Sequence, residues 1–288
     1  MNAIEINRLT KNYGKSRGIT DLDLTVERGE FFGFIGPNGA GKSTTIRAML
    51  GLLKPTSGSV SVLGMNSREL TSILSRIGYL PSENTYYPGM RVRDVLKLSA
   101  ALHKTDSVGE AERLCDILQL DTSKKASELS YGNRKKLSIV CALAHSPELL
   151  ILDEPTGGLD PLMQNAFFDI LREKNSQGTT VFFSSHILSE VQNNCTRTAV
   201  IKEGRIIACD CVDKLKAANV KRIKFTGNAP LDNLTGIRNF ETDGKTVSFL
   251  FSGDMTSLIS ILAEGTTEDL EIHEPDLEET FMHYYEEV

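Results

Sequence analysis

Three short segments hold residues whose type and spacing suit phosphate chemistry. Gly36-Pro37-Asn38-Gly39-Ala40-Gly41-Lys42-Ser43-Thr44 fits G-x-x-x-x-G-K-S, after the apolar run FFGFIG and before the helical pattern TTIRAMLGLLKP. Glycines let a backbone curl until successive N–H groups point at phosphate oxygens. Those donors, the N-terminus of the following helix and the Lys42 ammonium converge on concentrated negative charge. The Ser43 hydroxyl is placed to ligate Mg²⁺. Spacing and strand–loop–helix context together imply a nucleoside triphosphate site.

The second segment is LLILDEP at 149–155. An acidic pair at the end of a buried strand is costly unless metal, water or donors satisfy it. Asp153 can reach the Mg²⁺ shell through water, and Glu154 can polarise the water that attacks a γ-phosphate. The third is His186, after the apolar run TVFFSS. It can hydrogen-bond the γ-phosphate or orient water at a near-neutral pKa. His103, His145, His273 and His283 have no comparable context.

These residues need a scaffold, and the pattern supplies one. IEINRLTKNYG and GITDLDLTVERGE alternate, which predicts two early strands with a hairpin-like connection. FFGFIG, ELLILDEP and TTVFFSSH are continuous apolar runs that fit strands buried on both faces. SGSVSVLG reads as a further strand, and RELTSILSRIGYLP as a short helix and a strand. VRDVLKLSAALHK, GEAERLCDILQL and ASELSYGNRKKLSIVCALAHSP read as helices within residues 91–145, and PLMQNAFFDILREKNSQG as another. TRTAVIKEGRIIACD predicts a hairpin turning at Glu203-Gly204. The sum is a mixed α/β core with an antiparallel edge and a helical insertion. Beyond it, KRIKFTG, KTVSFLF and EDLEIHEP suggest strands of a small α+β unit, and DLEETFMHYYEEV a terminal helix with Asp276 as N-cap and Glu279 three residues on. Leu277, Phe281 and Tyr285 would share a face of that helix.

Composition excludes other classes. The 288 residues carry 32 basic and 38 acidic side chains, a formal net charge of −6, which disfavours a strongly basic nucleic-acid binder. Hydrophobic residues at 40% supply a core and argue against a disordered chain. The apolar runs are far shorter than the ~18–20 residues that span a bilayer, and MNAIEINRLTKNYG lacks an apolar signal core. Cytoplasmic residence is therefore expected. The five cysteines read as free thiols, and Cys209-Ala-Cys211 lacks zinc-ligand spacing.

A phosphate loop alone leaves GTPases, kinases and motor ATPases open. Leu129-Ser130-Tyr131-Gly132-Asn133-Arg134, about twenty residues before LLILDEP, resembles the LSGGQ signature of ABC-type ATPases. Gly157-Gly158-Leu159-Asp160-Pro161 is similar to their D-loop, His186 to their switch histidine, and Tyr13 to the aromatic that stacks on adenine. Among such proteins the chain most resembles the ATPase subunits of bacterial ABC-2-type exporters, the group with antibiotic-resistance and sodium-export ATPases.

The resemblance implies a P-loop NTPase core of ABC type, with an antiparallel β subdomain and a helical signature subdomain, plus a small C-terminal α+β extension. Its implied domains are 1–215, with the helical part at about 84–145, and 216–288. It implies ATP and Mg²⁺ as ligands and ATP hydrolysis as the activity. Two copies would meet head to tail: Lys42, Ser43, Asp153, Glu154 and His186 act from one subunit, while Ser130 and Gly132 of the other cap the γ-phosphate. Asp160 would couple the two sites. A separate integral membrane permease would be driven at the cytoplasmic face, with no nucleic acid involved. Tyr86, Tyr87 and Met90 are docking candidates, with local packing as the alternative.

Three positions depart from the family pattern. Ser82 in Gly78-Tyr79-Leu80-Pro81-Ser82-Glu83 stands where the Q-loop has glutamine. It is too short for the same Mg²⁺ contact, which a bridging water or Glu83 would replace. Tyr131 replaces a signature glycine and Asn133 its glutamine. The expectation is hydrolysis with altered coupling. Two other readings are a soluble ABC-type ATPase acting on translation or DNA, and a regulatory protein that binds ATP without turnover.

Overall fold

The computed structural model describes residues 1–14, 16–83, 85–212, 221–231 and 234–273. Alternating apolar residues pair β1 (Asn2–Tyr13) antiparallel with β2 (Ser16–Glu27), burying Ile4, Ile6, Leu22 and Leu24. β4 (Ser57–Val62) and β5 (Met65–Asn66) complete this sheet in the order β2-β1-β4-β5. The continuous apolar run becomes β3 (Phe31–Ile35), buried throughout, and enters a second sheet. α1 (Lys42–Met49) follows β3.

The second sheet has the order β10-β9-β3-β8-β7-β6, from β6 (Ile77–Leu80), β7 (Leu149–Asp153), β8 (Thr180–Ser185), β9 (Arg197–Lys202) and β10 (Arg205–Cys211). β3, β6, β7, β8 and β9 run parallel, which is why their sequences are continuously apolar. β9 and β10 turn at Glu203 (φ 48°) and Gly204 (φ 80°), as the sequence predicts. One hydrophobic core joins the sheets: Ile46 and Met49 of α1 pack with Ile6 and Val62 on one side and Phe32, Phe182 and Ile151 on the other. Phe182 stacks on Phe32 at 5.9 Å between centroids.

Between β6 and β7 lie α2 (Val92–His103), α3 (Val108–Ile117) and α4 (Tyr131–Leu143). α5 (Pro161–Ser176) and α6 (Leu188–Asn194) follow β7 and β8. The helix expected in RELTSILSR is instead two 3-10 turns, Ser67–Ser72 and Leu74–Arg76. Thr71, Ser72 and Ile73 are poor helix formers in succession, and the hydroxyl residues compete for backbone groups.

An ion cluster ties α3 to α5. Glu110 accepts from Arg113 and from the buried Lys174 ammonium, 2.5 Å away. The Arg113 hydrogen bond, reinforced by Lys174, holds its carboxyl down at about 2. Glu110→Gln is expected to cost about 2 kcal/mol near neutral pH, because hydrogen bonds to charged groups are lost. A depressed carboxylate pKa stabilises above the unfolded value, so the wild-type advantage shrinks as pH falls from about 4.5 toward 2. Paired denaturant melts across that range check both statements.

The chain divides into two compact units, Met1–Cys209 and Asp210–Val288. In the second, β11 (Lys221–Asn228), β12 (Ile237–Asp243), β13 (Thr246–Phe251) and β14 (Thr266–His273) form an antiparallel sheet ordered β12-β13-β11-β14. α7 (Met255–Glu264) packs Leu258 and Leu262 against Ile223, Phe225, Phe249 and Phe251. The terminal helix expected from Asp276 onward lies outside the described residues.

Candidate functional site

The loop after β3 delivers α1 directly into the site. Gly41, at φ 113°, occupies a backbone region closed to most side chains, and a Cβ there would come within 2.7 Å of Ile19. No side chain caps α1 and no acidic residue sits in its first turn. Its free N–H groups and positive dipole end are thus available to an anion. They open on a cleft of about 250 Å³ lined by Asn38, Gly39, Gly41, Lys42, Ser43, Thr44, Glu154 and Gly18. Gly36, which carries the turn out of β3, donates to the Ser185 carbonyl at 3.3 Å and lies outside that lining.

β7 and β8 bring the acidic pair to the same place. Asp153, 2% exposed, sits opposite Ser184 in the parallel register and accepts its hydroxyl at 2.8 Å. Glu154 leaves the strand at φ 47°, a left-handed conformation uncommon for a glutamate and of the kind that collects at functional sites. Its N–H donates to the Ser184 carbonyl at 3.1 Å. One carboxylate oxygen lies 3.2 Å from the Lys42 ammonium and the other 3.2 Å from His186 Nδ1. Lys42, 5% exposed, also donates to the carbonyls of Gly36 (2.6 Å) and Pro37 (3.1 Å). Cation, carboxylate and imidazole therefore form one cluster at the mouth of α1. The structure adds Ser184 to the site; its signal in the sequence is a hydroxyl near the end of the apolar strand TVFFSS.

Ser43 and Asp153 offer hard oxygen donors. Among the described residues no group of three or more His, Cys, Asp or Glu could hold a metal. That sparse set fits Mg²⁺, which takes one or two protein oxygens and fills its shell with phosphate and water. Cys209 and Cys211 are both exposed on β10.

The remaining candidates lie elsewhere in the chain. Tyr13, at the end of β1, is partly exposed, with the Lys11 ammonium 5.4 Å from its ring centre. Ser130 is the N-cap of α4 and accepts the Asn133 N–H at 3.3 Å. Asp160 is the N-cap of α5, before Pro161, and accepts the Met163 N–H at 3.0 Å. Neither these residues nor Gly132 lines the phosphate cleft.

The family model described as ABC transporter matches residues 19–157. The bacitracin transport ATP-binding protein BcrA of Bacillus licheniformis is 39% identical over 77% of this chain and 74% of its own length. The chain belongs to the ABC transporter ATP-binding proteins. The Nod factor export ATP-binding protein I of Sinorhizobium fredii is 32% identical over 97% of this chain and 85% of its own. A dimeric bacterial ABC transporter cassette of solved structure is 26% identical, with a TM-score of 0.66 over 73% of this chain and 98% of that one. Among the described residues, no helix is long and apolar enough to cross a membrane.

In this ABC protein, the departures from the family pattern have visible consequences. The Tyr131 ring covers Gly158: a Cβ on that glycine would sit 2.2 Å from the ring. Gly158 is also at φ 81°. Gly158→Ala is expected to cost about 1–2 kcal/mol from the backbone alone, and more from the clash. Adding Tyr131→Gly should recover only the clash, which paired thermal melts resolve. The Tyr86 hydroxyl bonds Ser138 at 2.7 Å and burial pushes its pKa up, so Tyr86 packs on α4. Tyr87 is 74% exposed. Ser82 is held through its carbonyl by Lys135.

Proposed function

We propose that this chain hydrolyses ATP as a head-to-tail homodimer and thereby powers export through a separate integral membrane permease at the cytoplasmic face. The observation that carries this reading is the Lys42–Glu154–His186 cluster at the uncapped start of α1. ATP would lay its β- and γ-phosphates against the α1 N–H groups. The Lys42 ammonium, now on Glu154 and two loop carbonyls, exchanges those partners for phosphate oxygens. That exchange frees a Glu154 oxygen for the attacking water. His186 holds the other Glu154 oxygen and stands ready for the γ-phosphate. Water oxygen bonds to the γ-phosphorus, the bond to the ADP oxygen breaks, and Glu154 takes the water's proton. Ser43, and Asp153 through water, would hold Mg²⁺, which would supply neutralising charge to the phosphates.

Ser130 and Gly132 lie outside their own chain's cleft, which supports their use by a partner's nucleotide. The solved relative described as dimeric supports dimerisation. The start of α4 at Ser130 would present N–H groups to the γ-phosphate, and Asp160 at the start of α5 would link the two sites. Tyr13 would stack on adenine. Residues 1–215 form the nucleotide-binding domain in this reading, and 216–288 an accessory domain. A relative whose name states bacitracin transport supports a role in transport, and one whose name states Nod factor export supports the direction.

The test is to tag the full chain in its own organism, solubilise membranes gently and identify what copurifies. A stoichiometric polytopic membrane protein is expected. A chain that stays soluble with ribosomes or DNA-associated proteins contradicts the export reading and leaves the ATP site standing.

A further inference from the structure

α4 contains a buried ammonium that the mechanism above does not use. Lys135 lies one turn into α4 and is 3% exposed, yet no carboxylate pairs with it among the described residues. Its Nζ donates to the Ser82 carbonyl at 3.0 Å. An ammonium has three N–H donors, and one carbonyl satisfies only one of them. A buried cation in that condition is costly unless further acceptors or anionic charge face it.

Its surroundings say which charge that is. β6 runs parallel to β7 with Leu80 opposite Leu152, so the chain leaves β6 toward Ser82 alongside Asp153 and Glu154. Burial lowers the Lys135 pKa, while the Asp153 and Glu154 carboxylates push it back up. The ammonium therefore lies within the field of the acidic pair without bonding to it. Ser82 is also the position where the resemblance expects the glutamine that contacts Mg²⁺. A serine hydroxyl falls short of that reach. The two features are adjacent in space: the amide is missing from residue 82, and the Lys135 ammonium of α4 is bonded to the residue 82 carbonyl.

We propose that Lys135 is a positioning residue that stands in for the absent Q-loop glutamine, fixing Ser82 beside Asp153 and Glu154 and directing positive charge from the signature helix toward the γ-phosphate. It acts through Ser82 and through its field. Because α4 also begins with Ser130 and Tyr131, this link ties the signature end of the helix to the segment that leaves β6 by a single side chain. The inference rests on the ATPase reading and adds a residue to that site.

The test compares full-length wild type, Glu154→Gln, Lys135→Met, Lys135→Arg and Lys135→Met/Ser82→Gln. Steady-state hydrolysis, equilibrium binding of a fluorescent ATP analogue with Mg²⁺, and hydrogen exchange at residues 80–83 are measured on each. Lys135→Met is expected to lower kcat about tenfold or more, the scale of one lost hydrogen bond to a charged group, with KM for ATP within about threefold. Exchange at residues 80–83 should rise with nucleotide bound. Lys135→Arg should keep most of the turnover, and adding Ser82→Gln to Lys135→Met should recover it. Lys135→Gln takes the place of Lys135→Met should that variant melt early. Wild-type kcat and exchange in Lys135→Met, or a double variant as slow as the single one, overturns the proposal. Wild type no faster than Glu154→Gln overturns the ATPase reading instead, so the two failures are distinguishable.

Discussion

Lys42→Ala is expected to abolish tight ATP binding. In the structure this ammonium is 5% exposed and placed by the first residue of α1, so phosphate would meet a cation that needs little further ordering. Removing it deletes charge-assisted bonds to the phosphates, each about 1.5–3 kcal/mol. The expected loss is about a hundredfold or more in Kd, measured by equilibrium binding of a fluorescent ATP analogue with Mg²⁺. Lys42 also holds the Gly36 and Pro37 carbonyls, so a thermal melt on the same sample separates a loosened loop from a lost phosphate contact. Unchanged affinity removes Lys42 from the site.

The second large effect is Glu154→Gln. The variant keeps a side chain of the same shape beside Lys42 and His186 but cannot accept the water's proton. Turnover is expected to fall by about 10²–10⁴, the usual contribution of a general base. Binding should survive, because in the proposed mechanism the phosphate contacts would come from Lys42, the loop and α1. ATP then stays intact between two copies, and light scattering should find a dimer with ATP and a monomer without it. Hydrolysis at the wild-type rate contradicts the assignment of the base.

The phosphate loop, the acidic pair and His186 were legible because each is a residue type at the end of a buried strand, and the apolar runs announce those strands. FFGFI, LLILD and TVFFSS could hardly be anything other than central strands of a parallel sheet. The geometry that joins them was not legible. No spacing rule places Lys42 3.2 Å from one Glu154 oxygen and His186 3.2 Å from the other, since strand order decides it. Ser184 and Lys135 escaped for a related reason. One sits in a strand and the other in a helix, with no local pattern, and both matter only through partners far off in the chain. β12 and α7 were missed for lack of signal in IRNFETD and because MTSLISILAE is short, although Asp254 does cap α7 by accepting the Ser257 N–H at 2.9 Å. RELTSILSR erred the other way, where local chemistry favoured tighter turns than apolar spacing suggested.

The head-to-tail site is tested most directly by cysteine cross-linking. Asn38→Cys and Ser130→Cys are introduced together in a Glu154→Gln chain with Cys209→Ser and Cys211→Ser, removing the two exposed thiols. Position 38 lines the phosphate cleft and position 130 does not. After mild oxidation the account predicts a disulfide-linked dimer that forms with ATP, fails to form without nucleotide, and is lost when Lys42→Ala is added. A cross-link confined to single chains, or a dimer yield indifferent to ATP, contradicts it.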